Sequence, residues 1–107
     1  MDNTKHPIAA GKDLLAAAQN GDLNSVRDLL TRGADANFND ERDESPLHWA
    51  SGKGYLDIVK ELLLHGASVD AQSQSGSAGL HFAASSGHLD VVAELLARGA
   101  MGCYSFW

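Results

Sequence analysis

The 107 residues contain one cysteine, Cys103, so no internal disulfide can form. Asn3, Asn20, Asn24, Asn37 and Asn39 all lack a serine or threonine two places on, so there is no N-glycosylation acceptor. Both absences point to a reducing compartment, and the expectation is a cytoplasmic or nuclear protein. Long hydrophobic runs are missing too. The longest, Leu14 to Ala18, is too short for a signal-peptide core or a membrane span, so no membrane partner is expected. Basic residues are few: 8 Lys and Arg stand against 14 Asp and Glu, for a formal net charge of −6. They are scattered among the acids, whereas phosphate neutralisation needs them clustered, which argues against nucleic acid as a partner. With 44% hydrophobic and 21% charged residues the bulk of the chain lies far from disordered composition, and its length suits one domain.

What is present is a repeat. Gly21-Asp22-Leu23 recurs as Gly54-Tyr55-Leu56 and Gly87-His88-Leu89, each at an interval of 33 residues. The same interval links Leu29-Leu30 to Leu62-Leu63 and Leu95-Leu96, and Gly33-Ala34 to Gly66-Ala67 and Gly99-Ala100. It also links Leu14, Leu47 and Leu80, each followed three places on by Ala17, Ala50 or Ala83. This register divides the chain into an N-terminal extension (1–11), three copies (12–44, 45–77 and a shortened 78–100) and an irregular aromatic tail (101–107).

Each copy reads as two short helices. In the second, Pro46 suits a first helical position, where a missing N–H costs nothing, and Ser45 before it suits an N-cap whose oxygen accepts from the first turn. That helix is expected to end near Ser51, with Gly52-Lys53-Gly54 as the reversal. Leu56, Val59, Leu62 and Leu63 then recur at spacings of three and four and paint one apolar stripe, which Gly66 ends. Neither helix can bury its stripe alone, so the copies must stack.

Ser45-Pro46-Leu47-His48-Trp49-Ala50 resembles the Thr-Pro-Leu-His-x-Ala signature of ankyrin repeats, and the period of 33 is theirs. The similarity runs from about Ala10 to Ala100 and implies an all-α solenoid of stacked helix-turn-helix units, with loop or β-hairpin fingers between repeats. Lys12 to Ala18 lacks the Pro-Leu-His and resembles an N-terminal capping copy. The third copy reads Ala78-Gly79-Leu80-His81, without the capping hydroxyl or the proline. After Ala100 the family pattern leads to expect a run like Asp35-Ala36-Asn37, and Met101-Gly102-Cys103-Tyr104-Ser105-Phe106-Trp107 stands there instead. Two readings of this tail are open: the altered end of a longer repeat protein, or an aromatic segment folding back to replace a cap.

The resemblance also implies that His48 bonds the hydroxyl of its own motif and a neighbouring loop backbone, with His81 in the same place beside Ala78. Trp49 and Phe82 occupy equivalent positions and are expected to pack between neighbouring helices. Asn37, with Leu29 and Asp35, is similar to the acceptor pattern of ankyrin asparaginyl hydroxylation.

Catalytic and cofactor motifs are lacking. His48 and His81 lie one repeat apart, and no second cysteine completes a zinc set, so no metal is expected. Ser75-Gly76-Ser77-Ala78-Gly79 has serines without a strand-to-helix elbow, and Gly52-Lys53-Gly54 lacks the preceding glycine and following hydroxyl of a phosphate loop. Asp40, Glu41, Asp43 and Glu44 lack calcium-loop spacing and enclose Arg42. The expectation is therefore a noncatalytic module binding a partner protein, without cofactors, either monomeric or weakly self-associating through its third repeat; the alternative is a truncated repeat product that sequesters partners or self-associates through its uncapped third repeat. In the family, partners meet the loop tips and the exposed faces of the first helices. By register these are Gln19 and Asn20 in the first copy, Asn39, Glu41, Arg42, Glu44, Gly52 and Lys53 around the second, and Gln72, Gln74, Ser75, Ser77, Ser85 and Ser86 in the third.

Overall fold

The computed structural model describes residues 7–99, with side chains from residue 11 onward. They form six helices: α1 (Pro7–Asn20), α2 (Leu23–Thr31), α3 (Pro46–Lys53), α4 (Leu56–Leu64), α5 (Gly79–Ser86) and α6 (Leu89–Ala97). Among the described residues there is no strand, so the fingers between copies are loops. Each odd-numbered helix pairs with the even-numbered one that follows. Copies join through α1 on α3 on α5 in one row and α2 on α4 on α6 in the other. α1 begins at Pro7, ahead of the repeat boundary drawn at residue 12.

The 33-residue register is the register of burial. Leu14, Leu47 and Leu80 and the alanines three places on are all buried, and these small alanines let the first-row helices approach closely. Ile58, Val59 and Leu62 from α4 and Val91 and Leu95 from α6 fill the space between the rows. Exposure rises toward the third copy: Leu30 is 4% exposed, its equivalent Leu96 36%, and Leu89 77%.

One feature differs from the sequence reading. α3 continues through Gly52 and Lys53, so the reversal is made by Gly54 alone, at φ +77°. A Cβ there would come within 2.6 Å of the His88 ring, just as one on Gly21 would meet Tyr55 at 2.8 Å. Each turn is thus sealed by a ring from the next copy, and two residues suffice because glycine supplies both the left-handed conformation and the room. Gly66, which follows α4, has φ +94°. At the start of α3, Ser45 is the N-cap, extended at φ −97° and ψ 170°. His48, three residues on, faces back on it, its Nδ1 accepting the Ser45 N–H.

Gly11 shows what fixes α1 against its own finger. A Cβ would lie 2.4 Å from the Phe38 ring, and even the Phe38 Cβ would be only 3.0 Å away. Because the near atoms belong to a ring root that cannot swing clear, Gly11→Ala is expected to destabilise the chain by about 1–3 kcal/mol, read from the urea midpoint. Ala16→Gly, on the exposed side of the same helix, should cost only about 1 kcal/mol by helix propensity.

Candidate functional site

The two fingers are built alike. In the first, the Asp40 N–H donates to the Glu44 carbonyl (3.1 Å) and Asp43 N–H to the Asp40 carbonyl (3.0 Å); in the second, Ser73 donates to Ser77 (2.9 Å) and Gly76 to Ser73 (2.8 Å). Asp43 has φ +60° where the second finger has Gly76 at +83°. The Asp40 carboxylate organises the first tip: its Oδ1 accepts the N–H groups of Arg42 (2.8 Å) and Glu44 (2.9 Å). At the second tip hydroxyls take over, Ser73 Oγ lying 2.9 Å from Ser75 Oγ, which donates to Ser77 Oγ at 3.4 Å. The Gln74 N–H donates to the Arg42 carbonyl at 2.7 Å, locking tip to tip.

Asp40 was not singled out as a tip organiser by sequence reasoning, which saw it as one of four acids. The readable signal was its register with Ser73, a second short hydrogen-bonding side chain. Asp40→Ala removes a charged acceptor from two N–H groups and is expected to cost about 2 kcal/mol, with faster amide exchange confined to 40–44.

Beneath the fingers, His48 is nearly fully buried. Its Nδ1 accepts the Ser45 N–H at 2.9 Å and lies 3.0 Å from Ser45 Oγ, which can only donate to it; its Nε2–H donates to the Ala71 carbonyl at 2.9 Å. One imidazole thus ties the start of α3 to the base of the second finger. Burial pushes its pKa below the ordinary 6.5, a fall that the Ala71 carbonyl bond and the nearby Glu44 charge only partly offset. The Phe82 ring packs on it from the next copy, centroids 5.1 Å apart at 48°. His81 keeps half of the pattern, its Nδ1 accepting the Ala78 N–H at 3.0 Å. Asn37 joins copies one and two: Nδ2 donates to the Gly66 carbonyl (3.1 Å) and Oδ1 accepts the Ser68 N–H (2.7 Å). A side chain so engaged is held in place.

Two grooves follow on the finger side. One is lined by Gly52, Ser77, His81, Phe82, Ser85 and Ser86, with no acidic or basic side chain among the six apart from the histidine. The other runs between α1 and the first finger and is lined by Lys12, Leu15, Phe38, Asn39, Asp40, Glu41 and Arg42. The structure therefore brings Gly52, Ser77, Ser85 and Ser86 together, and Asn39, Glu41 and Arg42 together. Asn20 lies elsewhere, in a depression with Asp13, Ala17, Asp22, Ser25, Asp28 and Leu29, while Gln19 is half-buried at the end of α1. Gln72, Gln74 and Ser75 are exposed along the second finger, and Glu44 is half-buried at the foot of the first. Lys53 is exposed with its Nζ 5.9 Å from the Trp49 ring centroid, and the half-buried Trp49 has an indole N–H enclosed without a partner. The Met101 to Trp107 tail lies outside the described residues.

Among the described residues no group of three His, Cys, Asp or Glu is placed to hold a metal ion, and no helix is long and apolar enough to cross a membrane. A search of curated proteins gives no match. Residues 14–103 match the family model of ankyrin repeats (3 copies). With the match covering most of its length and two helices in each of three stacked copies, the chain belongs to the ankyrin-repeat family.

Proposed function

We propose that the chain is a noncatalytic module that holds a partner protein along its finger side, in the uncharged groove between α3 and α5 and across the tips of the two fingers. Ankyrin repeats generally mediate protein–protein interaction, and the observation that carries the reading here is the tip-to-tip bond from Gln74 to Arg42. It presents two fingers as one preformed edge, so that binding orders little of the receptor. Glu41, Asp43 and Glu44 surround Arg42 at one end of that edge, and Gln72, Gln74 and Ser75 continue it without charge. The acidic end would steer a partner carrying basic groups, and charge at the rim acts on encounter more than on dissociation. The cytosol or nucleus is the compartment proposed, on the single cysteine.

Glu41→Ala with Glu44→Ala is expected to slow association with such a partner several-fold at low salt and to leave the rate in high salt nearly unchanged, measured by stopped flow. A rate unchanged at low salt would put the interface elsewhere.

A second reading is favoured by one observation, the 77% exposure of Leu89 with Leu96 at 36% on the same helix: self-association through the outer side of the third copy. Sedimentation across a hundredfold range of concentration tests it, and Leu89→Lys should abolish any dimer seen.

A further inference from the structure

Asn20 is the one asparagine followed by glycine; Asn3, Asn24, Asn37 and Asn39 precede Thr4, Ser25, Phe38 and Asp40. That pair carries a chemistry of its own. The Gly21 nitrogen can attack the Asn20 side-chain carbonyl and close a five-membered imide, and glycine favours the step because no Cβ shields its nitrogen or restricts its backbone. Attack needs an untethered side chain and a nitrogen that is not firmly held.

Both conditions are met. Asn20 is exposed at the last position of α1, and its side-chain amide has no hydrogen-bond partner among the described residues. Asn37 is the contrast, with both ends of its amide bonded across to copy two. The Gly21 N–H reaches the Ala18 carbonyl at 3.4 Å, a long bond at a helix end, where local opening costs little. Lys53 and Ser86 stand where Asn20 does in the other copies, so the first turn alone has the reactive carbonyl.

We propose that Asn20-Gly21 is a self-modification site, at which the chain converts its own asparagine to isoaspartate and thereby loosens copy one from copy two. The Gly21 nitrogen gives up its proton to water or hydroxide and bonds to Asn20 Cγ. The bond from Cγ to Nδ2 then breaks, and the nitrogen takes up a proton from water and leaves as ammonia. Water opens the imide at either carbonyl, giving aspartate or isoaspartate, and the second adds one carbon to the main chain.

The surroundings set what that carbon does. Gly21 and Asp22 are the whole turn between α1 and α2, and the Tyr55 ring of copy two lies so close on Gly21 that a Cβ would come within 2.8 Å of it. The Asp22 N–H bonds the Ala17 carbonyl at 3.0 Å, and its carboxylate caps α2 at the Ser25 N–H. A longer main chain must displace the ring or the cap. In either product the new carboxylate also joins Asp13, Asp22 and Asp28 around one depression that no basic side chain lines, so repulsion adds to the strain. The site lies away from the partner-binding groove and does not depend on it.

The folded chain, held at mildly alkaline pH and physiological temperature, is digested and each asparagine followed by electron-transfer mass spectrometry, which separates aspartate from isoaspartate. Conversion at residue 20 should run at least about tenfold faster than at Asn24, Asn37 or Asn39, with isoaspartate the main product. Asn20→Gln, which cannot close the five-membered ring, should keep its amide. An Asn20 that persists in the folded chain overturns the site, whether or not the urea-unfolded chain converts. The isoaspartyl form, separated by ion exchange, is then unfolded in urea beside the intact chain and Asn20→Asp, which brings the charge without the extra carbon. Its midpoint should fall below both, and its Tyr55 ring resonances should shift. A midpoint no lower than that of Asn20→Asp, or Tyr55 resonances left in place, overturns the loosening.

Discussion

Replacing Ser51 by alanine together with Gly79 by proline is expected to stabilise the chain by about 2 kcal/mol, which raises Tm by roughly 10 °C for a domain of this size. Ser51 is wholly buried at the contact of α3 with α5, and its hydroxyl has no partner. An orphaned buried hydroxyl costs about 1–3 kcal/mol. Directly across lies Gly79, at the first position of α5, where a Cβ would stand 3.0 Å from Ser51 Oγ and 3.7 Å from Leu47 Cγ. One repeat earlier the same two places hold Ala18 and Pro46, both buried. The hydroxyl and the missing ring are thus two sides of one substitution: serine fills the room that proline would use. Ala78 before Gly79 is already extended (φ −90°, ψ 172°), as a residue before proline must be, and a first-turn N–H has no acceptor inside the helix to lose. Gly79→Pro alone should gain little, because its Cβ meets the hydroxyl. The urea midpoints of the two single variants and the double variant check this, and a double gain no larger than the sum of the singles would contradict the pairing.

His48→Ala should have the largest effect of opposite sign, a loss of about 3–4 kcal/mol, enough to bring a marginally stable domain near unfolding. The truncation strands the Ser45 N–H and the Ala71 carbonyl and leaves the Phe82 ring beside a cavity. The same group makes stability depend on pH. Its native pKa lies below the ordinary 6.5, so between the two values the unfolded chain binds more protons than the folded one. Its contribution is fully present above pH 6.5 and is lost as pH falls through that window toward the native value. NMR titration of the folded protein should show His48 protonating below 6.5. Titration at or above the ordinary value would mean that the imidazole is not held neutral by burial.

The stacking of paired helices was legible because the 33-residue interval repeats in the residues that are buried: Leu14, Leu47 and Leu80 announce the first-row helices as plainly in sequence as in packing. Gly52 misled because glycine at the end of a short helix reads as a turn, whereas the turn needs only Gly54 and the Phe82 ring lies against Gly52 at ordinary contact distance. Ser45 was legible as the N-cap of α3 from its place before Pro46, and its contact with the ring of His48 three residues on goes with it. Four of the residues named by register, Gly52, Ser77, Ser85 and Ser86, line one groove together. Asn20 lines a different depression, beside Asp13 and Asp22. The pairings of Ser51 with Gly79 and of Phe38 with Gly11 were out of reach, since each looks like an isolated departure until the contact is seen.

A partner protein seated on the finger side should be displaced by bulk placed in the groove. Ser85 and Ser86 are exposed, so Ser85→Arg with Ser86→Arg should fill the groove mouth without disturbing the fold, which circular dichroism verifies first. Proteins captured from a cytosolic extract by the intact chain are compared by quantitative mass spectrometry with those captured by this variant and by Leu64→Arg, whose leucine is 69% exposed on the second helix row. Specific proteins should be retained by the intact chain and by Leu64→Arg and lost from the groove variant. Equal recovery by all three, or loss only from Leu64→Arg, would contradict it.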